Sequence, residues 1–77
     1  MAADIPGLIS AIAGALADQP EAIEVTEVSR GRRQIVRLQV ASGDMGRVIG
    51  RDGRVANAMR TLLVAAGDGT WNLEIGD

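Results

Sequence analysis

Ile5, Leu8, Ile9, Ile12, Ala13 and Leu16 recur at i, i+3, i+4 and i+7, the period of one helix face. The pattern predicts a helix over residues 5–17. Asp4 stands where a capping carboxylate accepts a first-turn amide, and Pro6 is tolerated in that turn. Pro20 closes the segment. The opposite face, Gly7, Ser10, Ala11, Gly14 and Asp18, is small and weakly charged. The period then drops to two. Residues 22–28 read as a strand with Ile23 and Val25 on one side and Glu24 and Thr26 on the other. Residues 29–32, Ser-Arg-Gly-Arg, form a turn in which Gly31 is free to take a positive φ. Residues 33–40 form a second strand, with Val36, Leu38 and Val40 facing one way and Ile35, Arg37 and Gln39 the other. So short a connection implies an antiparallel hairpin.

Helical spacing returns at residues 43–49, with Ser42 or Asp44 as its cap. Gly50 to Gly53 interrupt it, and residues 54–66 resume as a helix with Val55, Met59, Leu62, Leu63 and Ala66 on one face. Gly67 and Gly69 end that helix. Residues 70–75 form the last strand. The lone aromatic residue, Trp71, alternates in phase with Leu73 and Ile75, which assigns it to the core rather than to base stacking. The order is α-β-β-α-α-β. A crossover through two helices suits a parallel pairing of the second and third strands. The expected architecture is a two-layer α/β sandwich, a three-stranded mixed sheet with three helices packed on one face, and residues 1–77 forming one domain.

Composition narrows the chemistry. The chain of 77 residues is 47% hydrophobic, as a folded globule requires. It contains no cysteine, histidine, lysine or tyrosine. That excludes a disulfide framework and a thiolate metal site, and removes the commonest general base and zinc ligand. Neither a cofactor nor a metal is expected, and catalysis is disfavoured. No apolar run is long enough to span a bilayer, so membrane insertion is not expected. The N-terminus lacks a basic leader, which makes the cytoplasm the default location. The net charge of −2 hides a segregation: residues 1–29 hold five acids and no base, residues 30–60 hold all eight arginines with two acids, and residues 61–77 hold three acids. Codon bias accounts for the missing lysine but not for the clustering of arginine.

The cluster centres on Gly46–Arg54, GRVIGRDGR. A Walker loop needs a lysine, and the dinucleotide spacing G-x-G-x-x-G is absent. A helix-turn-helix would need base-reading polar side chains on its second helix, where after Arg54, Asn57 and Arg60 the sequence turns to TLLVAA. A purely structural turn accounts for a glycine but not for Arg47, Arg51 and Arg54 around it. A clamp for single-stranded nucleic acid accommodates all of them. Gly50 and Gly53 give clearance to a sugar-phosphate backbone. The N-terminus of the following helix favours phosphate, and Arg51 adds a charged fork. Apolar residues for a base groove come from Val48, Ile49, Val36, Leu38 and Val40. Some of these must be core: Ile49 is assigned to the groove and Leu38 to the core. Arg30, Arg32, Arg33 and Arg37 either extend the basic surface or, at the hairpin tip, serve solubility.

These residues carry a resemblance. VIGRDGR followed by an amphipathic helix is similar to the I-G-x-x-G signature of the KH domain, an RNA-binding module whose GXXG loop clamps about four nucleotides. The element order resembles the type II arrangement, and the whole chain resembles the small stand-alone bacterial KH proteins of the KhpA type. The resemblance implies a type II KH fold and single-stranded RNA as partner. Its clamp would be Gly50, Arg51, Asp52 and Gly53, with Val48 and Ile49 at the groove and Arg47 and Arg54 flanking the phosphate path. Asp52 departs from an all-basic clamp and is expected to cap the next helix. The resemblance further implies self-association or pairing with a larger Jag-type KH protein. It also implies an RNA chaperone or post-transcriptional role linked to cell elongation or division. The residues themselves offer two dimer faces, Gly7/Ala11/Gly14 and Thr61/Val64/Ala65. The alternative function is a protein-interaction scaffold in which RNA binding is secondary.

Overall fold

The computed structural model describes residues 4–67 and 70–77. The elements are α1 (Ile5–Leu16), β1 (Glu24–Arg30), β2 (Arg33–Gln39), α2 (Met45–Ile49), α3 (Arg54–Ala66) and β3 (Trp71–Gly76), with single 3₁₀ turns at Pro20–Ala22, Ser42–Asp44 and Arg51–Gly53. The sheet order is β1-β2-β3, antiparallel between β1 and β2 and parallel between β2 and β3. This is the mixed three-stranded sheet and α-β-β-α-α-β order of a type II KH fold.

α1 begins where Asp4 accepts a hydrogen bond from the Gly7 amide at 3.0 Å, a cap worth about 1 kcal/mol. It buries Ile5, Ile9 and Ala13 but leaves Leu16 exposed at its end. The hairpin is tighter than its sequence implies. Its ladder runs through to the pair Arg30–Arg33, leaving only Gly31 and Arg32 as the loop. Gly31 has φ 61° and Arg32 a negative φ, the sign pattern of a type II′ turn. Charged strand ends give no burial signal, so the sequence pattern alone implies a longer turn.

The core gathers Ile5, Ile9 and Ala13 of α1, Val48 of α2, Met59 and Leu63 of α3, and Val36, Leu38, Val40 and Leu73 from one face of the sheet. All three helices therefore pack on that face. Three details of α3 differ from its predicted stripe. Ala56 is buried, Leu62 is 41% exposed, and Ala66 is exposed; a small residue in an apolar run does not reveal which side it faces. Gly67 ends the helix in an extended conformation. A Cβ there would collide with the Trp71 ring, so the half-buried tryptophan packs across the helix end. The expectation for Gly69 lies outside the described residues. On the open face of the sheet, Ile35 is buried, flanked in register by Val28 and Asn72, and Arg37 pairs with Glu74 at 3.1 Å.

Candidate nucleic-acid interface

The loop that joins α2 to α3 is built by backbone geometry that few residue types allow. The Gly50 amide closes α2 on the Gly46 carbonyl at 2.9 Å, and the Gly53 amide donates to the Gly50 carbonyl at 3.1 Å. Gly50 lies at φ 78°, ψ 172°, a region almost restricted to glycine. Asp52 at φ 56°, ψ 24° and Gly53 at φ 76°, ψ 15° are both left-handed. Two consecutive left-handed residues reverse the chain and start α3 at Arg54.

The two loop glycines have different reasons. A Cβ on Gly50 would lie 2.5 Å from Val55 Cγ2 and 2.9 Å from the Val55 amide nitrogen. Gly50 is thus required by the packing of the loop on its own helix. A Cβ on Gly53 would meet nothing nearer than Asn57 Nδ2 at 3.8 Å. Of the two, Gly53 is the one where a Cβ would clash with nothing in the protein. Asp52 makes no side-chain cap, and the N-cap of α3 is Gly53, so the expected capping role of Asp52 is corrected. Aspartate is one of the few non-glycine residues that enter the left-handed region readily, which explains an acid in this loop.

Three arginines surround the loop. Arg51 and Arg54 are exposed and make no ion pair among the described residues. Arg47 is exposed and sits 3.4 Å from Asp44. The apolar side of the site is narrower than its sequence implies. Val48 is fully buried, as are Val36 and Leu38, while Val40 is 5% exposed. Val48 therefore belongs to the core beneath the loop and does not line a groove, because it is the one fully buried side chain of this five-residue helix. Ile49 is half-buried and packs against that core, which leaves it partly accessible beside Gly50.

Asp44 is the residue whose role the sequence does not disclose. Its position predicts a cap for the helix that follows it, yet it makes no such bond. Its carboxylate is buried and accepts the Asp18 amide at 3.0 Å and the Gln19 amide at 2.9 Å. These bonds, from Gln19 first and Asp18 next, hold Asp44 below the usual carboxylate range. Burial opposes that shift and nearby Arg47 reinforces it. Asp44 so ties the chain leaving α1 to the start of α2, the element that carries the loop. The only sequence signal is a carboxylate three residues before Arg47.

Among the described residues, no helix is long and apolar enough to cross a membrane, and no three acidic side chains converge as a metal site would need. Residues 7–72 match the family model "KhpA/KhpB, KH domain". The chain is similar to an RNA-binding protein KhpA of Caldanaerobacter subterraneus subsp. tengcongensis, 51% identical over 59 residues, covering 77% of this chain and 79% of the relative. A relative of the same name in Treponema pallidum is 49% identical, with 77% and 74% covered. One in Leifsonia xyli subsp. xyli is 41% identical over 64 residues, with 83% of each covered. No solved structure matches.

Proposed function

Since this chain belongs to the KhpA/KhpB KH-domain family, whose curated relatives are named RNA-binding proteins, we propose that it is a non-enzymatic RNA-binding protein. In this reading, residues 1–77 act as one cytoplasmic domain and clamp the backbone of single-stranded RNA between α2 and α3. The observation that carries it is the junction of half-buried Gly53, where a Cβ would strike nothing, with exposed Arg51 and Arg54 at the N-terminus of α3. The RNA backbone approaches over Gly53, where no Cβ intervenes. A phosphate meets the partial positive charge of the helix start, and the Arg51 guanidinium supplies paired donors. Arg47 and Arg54 flank the path. Ile49 provides the apolar ledge for a base, with Val48 holding that ledge from below. A surface this small binds few phosphates, so the affinity of one domain is modest and falls gently with salt.

A second reading is a scaffold that pairs with itself or with a larger Jag-type KH protein, with RNA binding secondary. It is supported by Leu62 at 41% and Val64 at 64% exposure on the outer side of α3. Pairing also suits the first reading, since two linked clamps raise effective affinity. A role in RNA chaperoning or regulation tied to cell elongation or division rests on family resemblance alone.

One substitution tests both readings. Arg51→Asp turns the loop into Gly-Asp-Asp-Gly, with two negative charges facing the phosphate path. We expect RNA affinity, read by fluorescence anisotropy, to fall on the order of tenfold or more, with an unchanged circular dichroism spectrum. Unchanged affinity would sink the clamp. Lost RNA binding with self-association retained in sedimentation would place the two activities on separate surfaces.

A further inference from the structure

The other concentration of positive charge lies at the far end of the fold. Arg30 and Arg33 are directly opposed as the last pair of the β1–β2 ladder, and Arg32 occupies the two-residue loop between them. All three are exposed, and none makes an ion pair among the described residues. Like charges directly opposed across a ladder destabilise it, so the tip bears a cost that folding alone does not require. Arg37, on the same face of the sheet, is instead paired with Glu74.

The tip is also held firmly. Ser29 donates to Gln34 Oε1 at 2.8 Å across the ladder, and the Gln34 amide donates to the Thr70 carbonyl at 3.0 Å, fixing the start of β3 beside it. Arg32, Arg33, Thr70 and Asn72 line a shallow depression there. All four of these residues carry polar side chains. The guanidinium groups of Arg32 and Arg33 and the side-chain amide of Asn72 suit phosphate and sugar oxygens.

Topology separates this site from the loop at Gly50–Gly53. β3 runs parallel to β2, so α3 must travel back along the sheet from the loop to the start of β3. Its thirteen residues span about 20 Å at 1.5 Å each. Arg30 and Arg33 also lie on the open face of the sheet, away from the helices. The clamp loop instead joins two helices packed on the opposite face, so the two sites are offset both along the sheet and across it.

We propose that the Arg30–Arg33 hairpin tip, with Asn72, is a second binding site for the RNA phosphate backbone. One chain then holds two separate RNA segments, one in the loop clamp and one on the tip. The site extends the RNA-binding reading to a different surface, and its test keeps the two apart.

Two tip variants are compared with wild type: Arg32→Glu, which leaves every ladder residue in place, and Arg30→Gln/Arg33→Gln. Each is titrated with an oligouridine just long enough to fill the clamp, with a long unstructured RNA, and with polyglutamate. We expect unchanged affinity for the short oligonucleotide in both variants. Affinity for the long RNA falls several-fold. Its logarithmic salt slope becomes shallower by about 0.7 for each phosphate that the tip no longer neutralises. Wild-type affinity and slope for the long RNA in both variants would overturn the proposal. So would an equal loss with the short oligonucleotide, which would place the effect in the clamp or the fold. Tip-dependent binding of polyglutamate with long-RNA binding intact would assign the surface to an acidic protein instead. Failure of the clamp itself is read separately, from the short oligonucleotide with Arg51→Asp.

Discussion

Gly50 and Gly53 bracket the loop symmetrically in the sequence and do different things in the fold. Gly50 combines a backbone region almost closed to other residues with a Cβ position already filled by Val55. Gly50→Ala is therefore expected to cost more than about 3 kcal/mol, adding a steric clash to the 1–3 kcal/mol of backbone strain. Gly53→Ala carries only the left-handed penalty of about 1–2 kcal/mol and stays folded. Its new methyl group projects where the RNA backbone is proposed to pass, so it weakens RNA binding while remaining native. Urea denaturation and anisotropy on the two variants check this. Equal stability losses, or full RNA affinity in Gly53→Ala, would contradict the division of labour. A glycine's spacing discloses that the backbone is special there, not whether the missing Cβ would strike the protein or its ligand. The same limit applies to Asp52, whose charge is legible in the sequence and whose left-handed backbone is not.

Elements are legible wherever one face is apolar and the other polar. The alternation of Val36, Leu38 and Val40, and the i, i+3, i+4 rhythm of Ile5, Leu8, Ile9 and Ile12, place a strand and a helix within a residue or two. The pattern blurs where all sides are alike. Around Ala56, Leu62 and Val64 of α3, hydrophobicity alone does not separate buried from exposed. The link between elements is less visible still, because Asp44 acts across 26 residues on the Asp18 amide. Its pKa is depressed in the fold. A depressed carboxylate contributes stability that is fully present above its unfolded pKa and is lost as pH falls through its folded value. Asp44→Asn keeps one acceptor oxygen for two amides and removes the charge. The variant is expected to unfold at lower urea than wild type near neutral pH, with the gap narrowing as the solution is acidified. A gap that stays constant with pH would show that the carboxylate's charge is not what ties α1 to α2. Because α2 carries the proposed clamp, the same variant should also lose RNA affinity without any substitution in the loop.

At the scale of the whole molecule, charge and core impose opposite demands. A chain with net charge −2 binds a polyanion only by sorting its arginines into one stretch, and the fold then sends that stretch to two ends of the sheet. Separation of this kind needs a rigid frame, yet the frame is thin. A domain of 77 residues has a total stability of about 4–12 kcal/mol at the usual 0.05–0.15 kcal/mol per residue. Met59, 1% exposed and central to the core shared by α1, α3 and the sheet, carries a large share. Met59→Ala is expected to cost about 2–5 kcal/mol, enough to bring the fold close to its threshold. Exposed arginine substitutions at position 32 or 51 should stay within about 0.5 kcal/mol of wild type. Urea midpoints measured for the three variants side by side decide this. If Arg51→Asp shifted the midpoint as far as Met59→Ala, its loss of RNA binding would report unfolding rather than a broken clamp. Met59→Ala should in turn lose the loop clamp and the hairpin tip together, since both depend on the one core that holds them apart.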